Sequence, residues 1–154
     1  MIIQVDTREK KDQLERIIGH FEHQGVRYVL NKLDIGDYMS LSNNKFAIDR
    51  KQSLGEYASN MGSADHARFR AELIRAQENG IKLIILIEDD KFNCIEDVKR
   101  WWNPNSLFRD RYVSGEMLYK AMNTQIKRYG VEFQFCKKNE TGYKIVELLK
   151  ENGG

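Results

Sequence analysis

The sequence predicts an α/β domain in which helices flank a mixed central β-sheet. Three observations support this fold class. Short β-branched segments alternate with amphipathic segments along most of the chain. The segment KLIILIE, residues 82–88, is almost wholly apolar, which is typical of a strand buried on both faces. Two strand-like segments, DYMSL and KFAID, enclose the polar turn SNN, which predicts a hairpin within the sheet.

Length and composition fit one domain. The chain has 154 residues with one proline, and we find no Gly/Ser-rich linker and no internal repeat. We therefore expect a single domain over residues 1–150, with a frayed C-terminus at 151–154. Hydrophobic residues make up 41% and charged residues 31%, a composition that excludes a disordered chain. The net charge of +2 is too small to indicate a polyanionic partner by itself.

The sequence has no recognisable targeting signal and no cysteine motif typical of metal binding or redox activity. The apolar run of MIIQV is too short for a signal peptide, and no segment approaches the ~20 apolar residues of a membrane span. Cys94 and Cys136 lie far apart and lack a CxxC partner. We expect free thiols and a cytoplasmic protein without membrane attachment.

The first half of the chain runs strand, helix, strand, hairpin. MIIQV is a short strand, and the segment REKKDQLERIIGHFEHQG has apolar residues at helical spacing and ends at Gly25. VRYVLNKL then alternates as a strand, and the hairpin follows. His20 and His23 lie three apart on the predicted helix. They form either a surface pair or part of a zinc site, and no third ligand is evident.

The second half supplies the crossover helices. SLGEYASN predicts a short helix, and DHARFRAELIRAQENG a longer one that Asp65 caps and Gly80 ends. After the buried strand, an irregular region contains a helical turn at 95–101. GEMLYKAMNTQIKRYG is amphipathic and predicts a helix, VEFQF a strand, and NETGYKIVELLKENGG a final helix.

The hairpin carries the residues with the clearest chemistry. Side chains alternate across a strand, so Asp49 and Lys51 share one face while Phe46 and Ile48 share the other. A carboxylate beside an ammonium suits phosphodiester hydrolysis. The carboxylate can hold Mg²⁺ or Mn²⁺, and the lysine can orient the attacking water or stabilise the transition state. The alternative for such a D-x-K pattern alone is a structural salt bridge.

Further acids are expected near this pair. Asp37 follows Gly36, which permits a tight backbone, and the hairpin returns the chain beside itself, so Asp37 is the expected second ligand. Asp6 ends the first strand, with Arg8 and Glu9 close behind. Strand ends can converge at one edge of a sheet, and an arginine there suits a phosphate contact.

These blocks, VDTRE, then GD, then DRK, resemble the nuclease domain of the XPF family, a branch of the PD-(D/E)xK restriction-endonuclease-like superfamily. That family carries V-D-x-R-E, G-D and E-R-K-x-x-x-D in this order. The segment ARFRAELIRA resembles the family's next helix and KLIILIE its next strand. The resemblance covers nearly the whole chain. No helix-hairpin-helix domain follows, so we expect a free-standing domain of bacterial or phage type.

The resemblance implies a Mg²⁺- or Mn²⁺-dependent endonuclease acting on flap, fork or junction DNA, without a small-molecule cofactor. Asp37, Asp49 and the Arg50 carbonyl would bind the metal, and Lys51 would assist the water. Asp6 and Glu9 would support this site or a second ion, and Arg8 and Arg50 would contact phosphate or hold the acids. Two positions depart from the family pattern: Asp49 replaces the usual Glu, and the final Asp falls on Gly55, with Glu56 next to it.

Basic and aromatic residues outside the site are candidates for DNA contacts. They are the arginines after the site and the aromatic and basic residues of the irregular region: Arg68, Arg70, Trp102, Arg109 and Arg111. Their alternative roles are a solvated surface and core packing. A homodimer is a further prediction by resemblance, with the apolar face of GEMLYKAMNTQI as one candidate surface.

Two other functions stay open from the sequence. One is a non-catalytic subunit that binds branched DNA with the same fold, as the altered acids would permit. The other is an RNA or nonspecific nuclease.

Overall fold

A computed structural model describes residues 1–61, 63–107 and 112–153, apart from the side chains of residues 63 and 64. A six-stranded sheet with the order β2-β1-β3-β4-β5-β6 forms its centre. The strands are β1 (Ile2–Asp6), β2 (Arg27–Asn31), β3 (Tyr38–Ser40), β4 (Phe46–Lys51), β5 (Lys82–Glu88) and β6 (Glu132–Cys136). The helices are α1 (Lys11–His23), α2 (Leu54–Ser59), α3 (Ser63–Glu78), α4 (Gly115–Tyr129) and α5 (Thr141–Glu151). Short 3₁₀ turns cover Ile95–Arg100, Pro104–Leu107 and Lys138–Glu140.

Strand pairing confirms the predicted mixed sheet. β3 is antiparallel to both β1 and β4. The pairs β1–β2, β4–β5 and β5–β6 are parallel. Parallel neighbours need crossover connections, which the helices supply. The hairpin therefore lies in the middle of the sheet, and the ends of β1, β3 and β4 come together there.

Helices cover both faces of the sheet and enclose two hydrophobic clusters. One cluster joins β4 and β5 to α2, α3 and α4, and the other joins the sheet to α1 and α5. β5 contributes to both, with Leu83, Ile85 and Ile87 on the first side and Ile84 and Leu86 on the second. This confirms the prediction of a strand that is buried on both faces.

The two histidines of α1 attach this helix to α5. The Gly142 N–H donates to His20 Nδ1 at 2.9 Å, and the His20 ring stacks on Tyr143 at 4.7 Å between centroids. The Tyr143 hydroxyl and His23 Nδ1 are hydrogen-bonded at 2.9 Å. Both rings thus have structural partners, as a surface pair would.

Within the part of the chain that is described, no helix is both long and apolar enough to cross a lipid bilayer.

Candidate active site

The hairpin brings Asp37 against the end of β4. The Asp37 N–H donates to the Ile48 carbonyl at 2.7 Å, and the Arg50 N–H donates to Asp37 Oδ2 at 2.8 Å. Gly36 makes this approach possible. Its φ is +73°, and a Cβ there would lie 3.0 Å from both the Ala47 Cβ and the Ile48 carbonyl oxygen. The carboxylate is therefore fixed by main-chain contacts at the strand end.

Asp49 and Lys51 share the α3 side of β4, as the alternation predicted. Lys51 Nζ lies 3.1 Å from Asp49 Oδ2, and the two side chains are only 10% and 8% exposed. The same Nζ lies 4.7 Å from the centre of the Phe69 ring on α3. Among the described residues Asp49 Oδ2 has no hydrogen-bond partner, so its contact with Lys51 is an ion pair without hydrogen-bond geometry. Burial has the largest single effect on the pKa of Lys51 and lowers it, but the contact with Asp49 and the charges of Asp37 and Glu72 together raise this pKa overall.

The two aspartates are close enough to perturb each other. Burial raises the pKa of Asp37 well above its usual value, and the negative charges of Asp49 and Glu9 raise it further. A bound cation would relieve this repulsion. The donor set consists of oxygen, and the Arg50 carbonyl points to the same edge of β4 as the N–H that contacts Asp37.

These residues fit a Mg²⁺ or Mn²⁺ ion, because Mg²⁺ is commonly held by one or two carboxylates together with several waters. In the described residues, no group of three or more His, Cys, Asp or Glu side chains could hold a metal ion. The site thus offers two carboxylates and not three.

On the opposite face of β4, the Arg50 side chain is enclosed by acids. Its guanidinium contacts Glu9 at 2.7 Å and Glu88 at 2.8 Å and is 2% exposed. The Tyr38 hydroxyl donates to Glu9 at 2.6 Å, and Arg16 pairs with Glu88 at 3.1 Å. The Arg50 guanidinium is therefore not available to a phosphate, and of its two expected roles the geometry supports that of holding the acids. Glu9 is likewise engaged on this face.

Asp6 organises the chain around β1. Its carboxylate accepts hydrogen bonds from the Leu33 N–H at 2.9 Å and from Arg8 Nε at 2.9 Å. Asp6 is 2% exposed, whereas the Arg8 side chain is 63% exposed. Asp6 thus holds the loop before β3, and Arg8 stays accessible for a phosphate contact.

Sequence reasoning missed one acid, Glu72 on α3. Burial raises the pKa of Glu72 to about 7, and the charge of Asp49 adds to this effect. Its Oε1 atom is buried without a hydrogen-bond partner. A signal was present in the sequence: Glu72 follows Phe69 by three positions and precedes Leu73, so it lies beside the apolar stripe of the helix.

Glu56, the neighbour of the missing acid at Gly55, has a different role. The Glu56 N–H donates to Ser53 Oγ at 3.0 Å, and Glu56 Oε2 accepts from the Gln52 N–H at 2.6 Å. These contacts cap the N-terminus of α2. Glu56 is exposed, and its carboxylate is engaged in this cap.

The arginines of α3 face solvent. The Arg68 side chain is 82% exposed and lies 3.6 Å from Asp65. Arg70 is exposed at the rim of a hollow between α3 and α4. Both stay candidates for DNA contacts.

The two adjacent tryptophans point in different directions, one toward the core and one toward solvent. Trp101 packs against the cluster that contains α4, and Trp102 is 60% exposed. Arg109 and Arg111 lie outside the described residues.

Comparison with known proteins places this geometry in a known fold. The family model described as "ERCC4 domain" matches residues 5–148. The structure is similar to XPF from Aeropyrum pernix, with a TM-score of 0.70 and 22% identity, over 99% of this chain and 65% of that chain. It is also similar to XPF from Aeropyrum pernix in complex with DNA, with a TM-score of 0.69 and 21% identity, over 98% and 64% of the two chains. No curated protein matches the sequence. The likeness confirms the predicted restriction-endonuclease-like fold, and the chain spans 65% of the length of the first of these structures.

Proposed function

This chain belongs to the ERCC4 domain family, and from that premise we propose that it is a metal-dependent endonuclease that hydrolyses phosphodiester bonds in branched DNA. The observation that supports the proposal most directly is the group formed by Asp37, Asp49 and Lys51. A half-buried carboxylate, a buried carboxylate and a buried ammonium converge where β3 and β4 meet. A site of this composition has little structural value, because its carboxylates repel each other in a protein interior.

Each residue of this group has a different role in the proposed hydrolysis. Asp37 and Asp49, with the Arg50 carbonyl, would hold Mg²⁺ or Mn²⁺, which when bound acidifies water and neutralises phosphate charge. Lys51 Nζ lies beside Asp49 Oδ2. There it orients the attacking water and stabilises negative charge on the phosphate. The Phe69 ring below Lys51 limits the positions that its ammonium can take.

Basic residues provide an approach for the DNA backbone. A hollow of about 690 Å³ is lined by Arg8, Lys32 and Arg75, among others. The positive charges of Arg8 and Arg75 are close enough to Glu72 to lower its pKa, against the rise that burial causes. Among the described lining residues, the three basic side chains outnumber Asp34, the one acid, so the positive charge of the hollow would attract a phosphate chain. The DNA-bound state of a similar structure supports this proposal at the level of the fold.

A substrate panel tests the activity. The purified chain is incubated with single-stranded, duplex, flap, fork and four-way DNA, and with the matching RNA, with and without Mg²⁺ or Mn²⁺. We expect cutting of branched DNA only with the metal. Asp49→Ala abolishes cutting and keeps the circular dichroism spectrum, whereas the control Asp65→Ala, at an exposed position, cuts normally. Retained cutting by Asp49→Ala contradicts the proposal.

One observation favours a second candidate, a non-catalytic subunit that binds branched DNA. Among the described residues the site lacks a group of three acids that could hold a metal ion. This candidate predicts that the same panel shows binding to branched DNA in gel-shift assays but no cleavage with either metal.

Homodimerisation is a further proposal. Met117 on α4 is 54% exposed, and Trp102 and Leu107 are 60% and 69% exposed. Such apolar exposure suits a protein interface. Light scattering that gives a monomer mass at working concentration contradicts it.

A further inference from the structure

The group around Asp49 carries more negative than positive charge. Besides burial, the charge of Asp49 raises the pKa of both Asp37 and Glu72. Lys51, which pairs with Asp49, is the buried cation in this group. Arg8 and Arg75 also offset the charge of Glu72, but both are exposed. A buried surplus of negative charge destabilises a protein unless a positive group balances it.

Helix α3 places Glu72 next to the Asp49–Lys51 pair. The Phe69 ring lies 4.7 Å from Lys51 Nζ, and residues three apart on a helix share a face. Glu72 is therefore one turn beyond the ring that contacts the catalytic lysine. The effects of Asp49 and Lys51 on the charge of Glu72 agree with this position.

Two buried carboxylate oxygens in this region lack hydrogen-bond partners among the described residues. They are Asp49 Oδ2, which has only its ion pair with Lys51, and Glu72 Oε1. A buried acceptor without a hydrogen bond is destabilising, so native proteins seldom retain one such as Glu72 Oε1 without a function. Glu72 Oε1 can only accept a hydrogen bond, and a water molecule bound to an ion has protons to donate.

We propose that Glu72 is a positioning residue of the metal site, whose carboxylate accepts a hydrogen bond from a water bound to the ion. This inference rests on the proposed function, because it assumes that Asp37 and Asp49 hold the ion. Contact through water also agrees with the lack, in the described part of the chain, of a three-acid group that could bind the metal directly. Mg²⁺ typically keeps several waters when one or two carboxylates hold it.

Glu72 would thereby supply the acid that is missing at Gly55. The neighbouring Glu56 does not fill this role, since its carboxylate caps α2 through the Gln52 N–H. The third acid of the site would come from a helix that covers the sheet and not from the segment that directly follows β4.

Calorimetric titration with Mn²⁺, combined with thermal unfolding in EDTA, tests this role. The variant Glu72→Gln has nearly the same shape as the wild type. We expect its Kd for Mn²⁺ to rise about tenfold or more, as is typical when a group that orients a metal ligand is removed. We expect its melting temperature in EDTA to stay the same or rise, because the change removes an acid whose cost of burial exceeds the attraction of Lys51, Arg75 and Arg8. A merely structural role would lower that temperature.

The control variant is Glu56→Gln, whose acid lies on the capping turn and which should bind Mn²⁺ as the wild type does. If Glu72→Gln binds Mn²⁺ as tightly as the wild type, or loses affinity together with thermal stability in EDTA, the inference is wrong while the proposed function stands. If the wild type itself binds no Mn²⁺, both are wrong. Glu72→Ala, tested in the same way, should reproduce the loss of affinity.

Discussion

The two faces of β4 carry charged clusters of opposite character. On one face Arg50 lies between Glu9 and Glu88, and Arg16 also pairs with Glu88. Two positive and two negative groups are thus matched at short distances. On the other face, among the residues that the structure describes, Lys51 is the buried cation beside Asp49, and Asp49 Oδ2 has this ion pair but no hydrogen bond.

This difference separates structural charge from functional charge within one strand. Arg50 and Lys51 are consecutive residues, and both side chains are buried. The satisfied cluster around Arg50 fixes the strand and offers nothing to a ligand. The cluster around Asp49 is short of positive charge, which is the condition that favours binding of a cation.

Breaking the satisfied cluster should have the largest effect on stability. Arg50→Met leaves Glu9 and Glu88 as buried acids without their shared partner. We expect a loss of about 3–5 kcal/mol in the free energy of unfolding, measured by urea denaturation. The control is Arg68→Met, which removes an exposed arginine and should change stability by less than about 1 kcal/mol. Equal small effects in both variants would contradict the contrast between the two faces.

Adding a divalent ion should stabilise the protein through the other face. At a free Mn²⁺ concentration of 100 times Kd, mass action predicts a gain of about 2.7 kcal/mol in unfolding free energy. Asp49→Asn should abolish this gain. The measurement is chemical denaturation with Mn²⁺ and with EDTA, and a gain that survives Asp49→Asn would place the ion elsewhere.

The pH dependence of stability should reveal the same surplus of negative charge. In EDTA the folded protein holds a proton on Glu72 more tightly than the unfolded chain, because the pKa of Glu72 rises from 4.5 to about 7 on folding. Its contribution to stability is therefore complete below pH 4.5 and is lost as the pH rises through 7. The raised pKa of Asp37 has the same sign.

The rise in pKa from 4.5 to about 7 corresponds to about 3.5 kcal/mol, at about 1.4 kcal/mol per pKa unit, and because Glu72 is only half-buried we expect a smaller decline of about 2 kcal/mol. Denaturation curves from pH 4 to pH 9 should show a shallower decline for Glu72→Gln than for the wild type. Identical slopes would mean that Glu72 is ordinarily solvated.

The smallest expected effect concerns the turn beside the site. Ser53→Ala removes the acceptor for the Glu56 N–H at the start of α2 and should cost about 1 kcal/mol of stability. Its Kd for Mn²⁺ should equal that of the wild type. Weaker binding of Mn²⁺ would show that this turn helps to form the metal site. Residues that stabilise the fold and residues that bind the ion would then overlap.

The sequence was sufficient for the local parts of this architecture. Period-two alternation in KFAIDRK correctly placed Asp49 and Lys51 on one face, and Gly36 correctly marked a tight approach of the hairpin. The helices and strands also appear in the predicted order. These features depend on residues that are close together in the chain, so their spacing can be read from the sequence.

The partners of Arg50 depend on distant parts of the chain. Glu88 follows it by 38 positions and Glu9 precedes it by 41. The register of β4 against β5 and the position of β1 decide whether these groups meet, and no local pattern encodes either. Glu72 was missed for a related reason: the packing of α3 on the sheet, rather than the spacing of its residues, brings it near Asp49.

Gly36 also determines how the domain could lose activity without losing any acid. A methyl group at this position would meet the Ala47 Cβ and the Ile48 carbonyl oxygen at 3.0 Å. It would act as a wedge between two adjacent strands and move Asp37 away from Asp49. A folded but inert relative could therefore arise by one substitution at Gly36 that leaves every acid of the motif in place. Inspection of the acids alone would classify that relative as active.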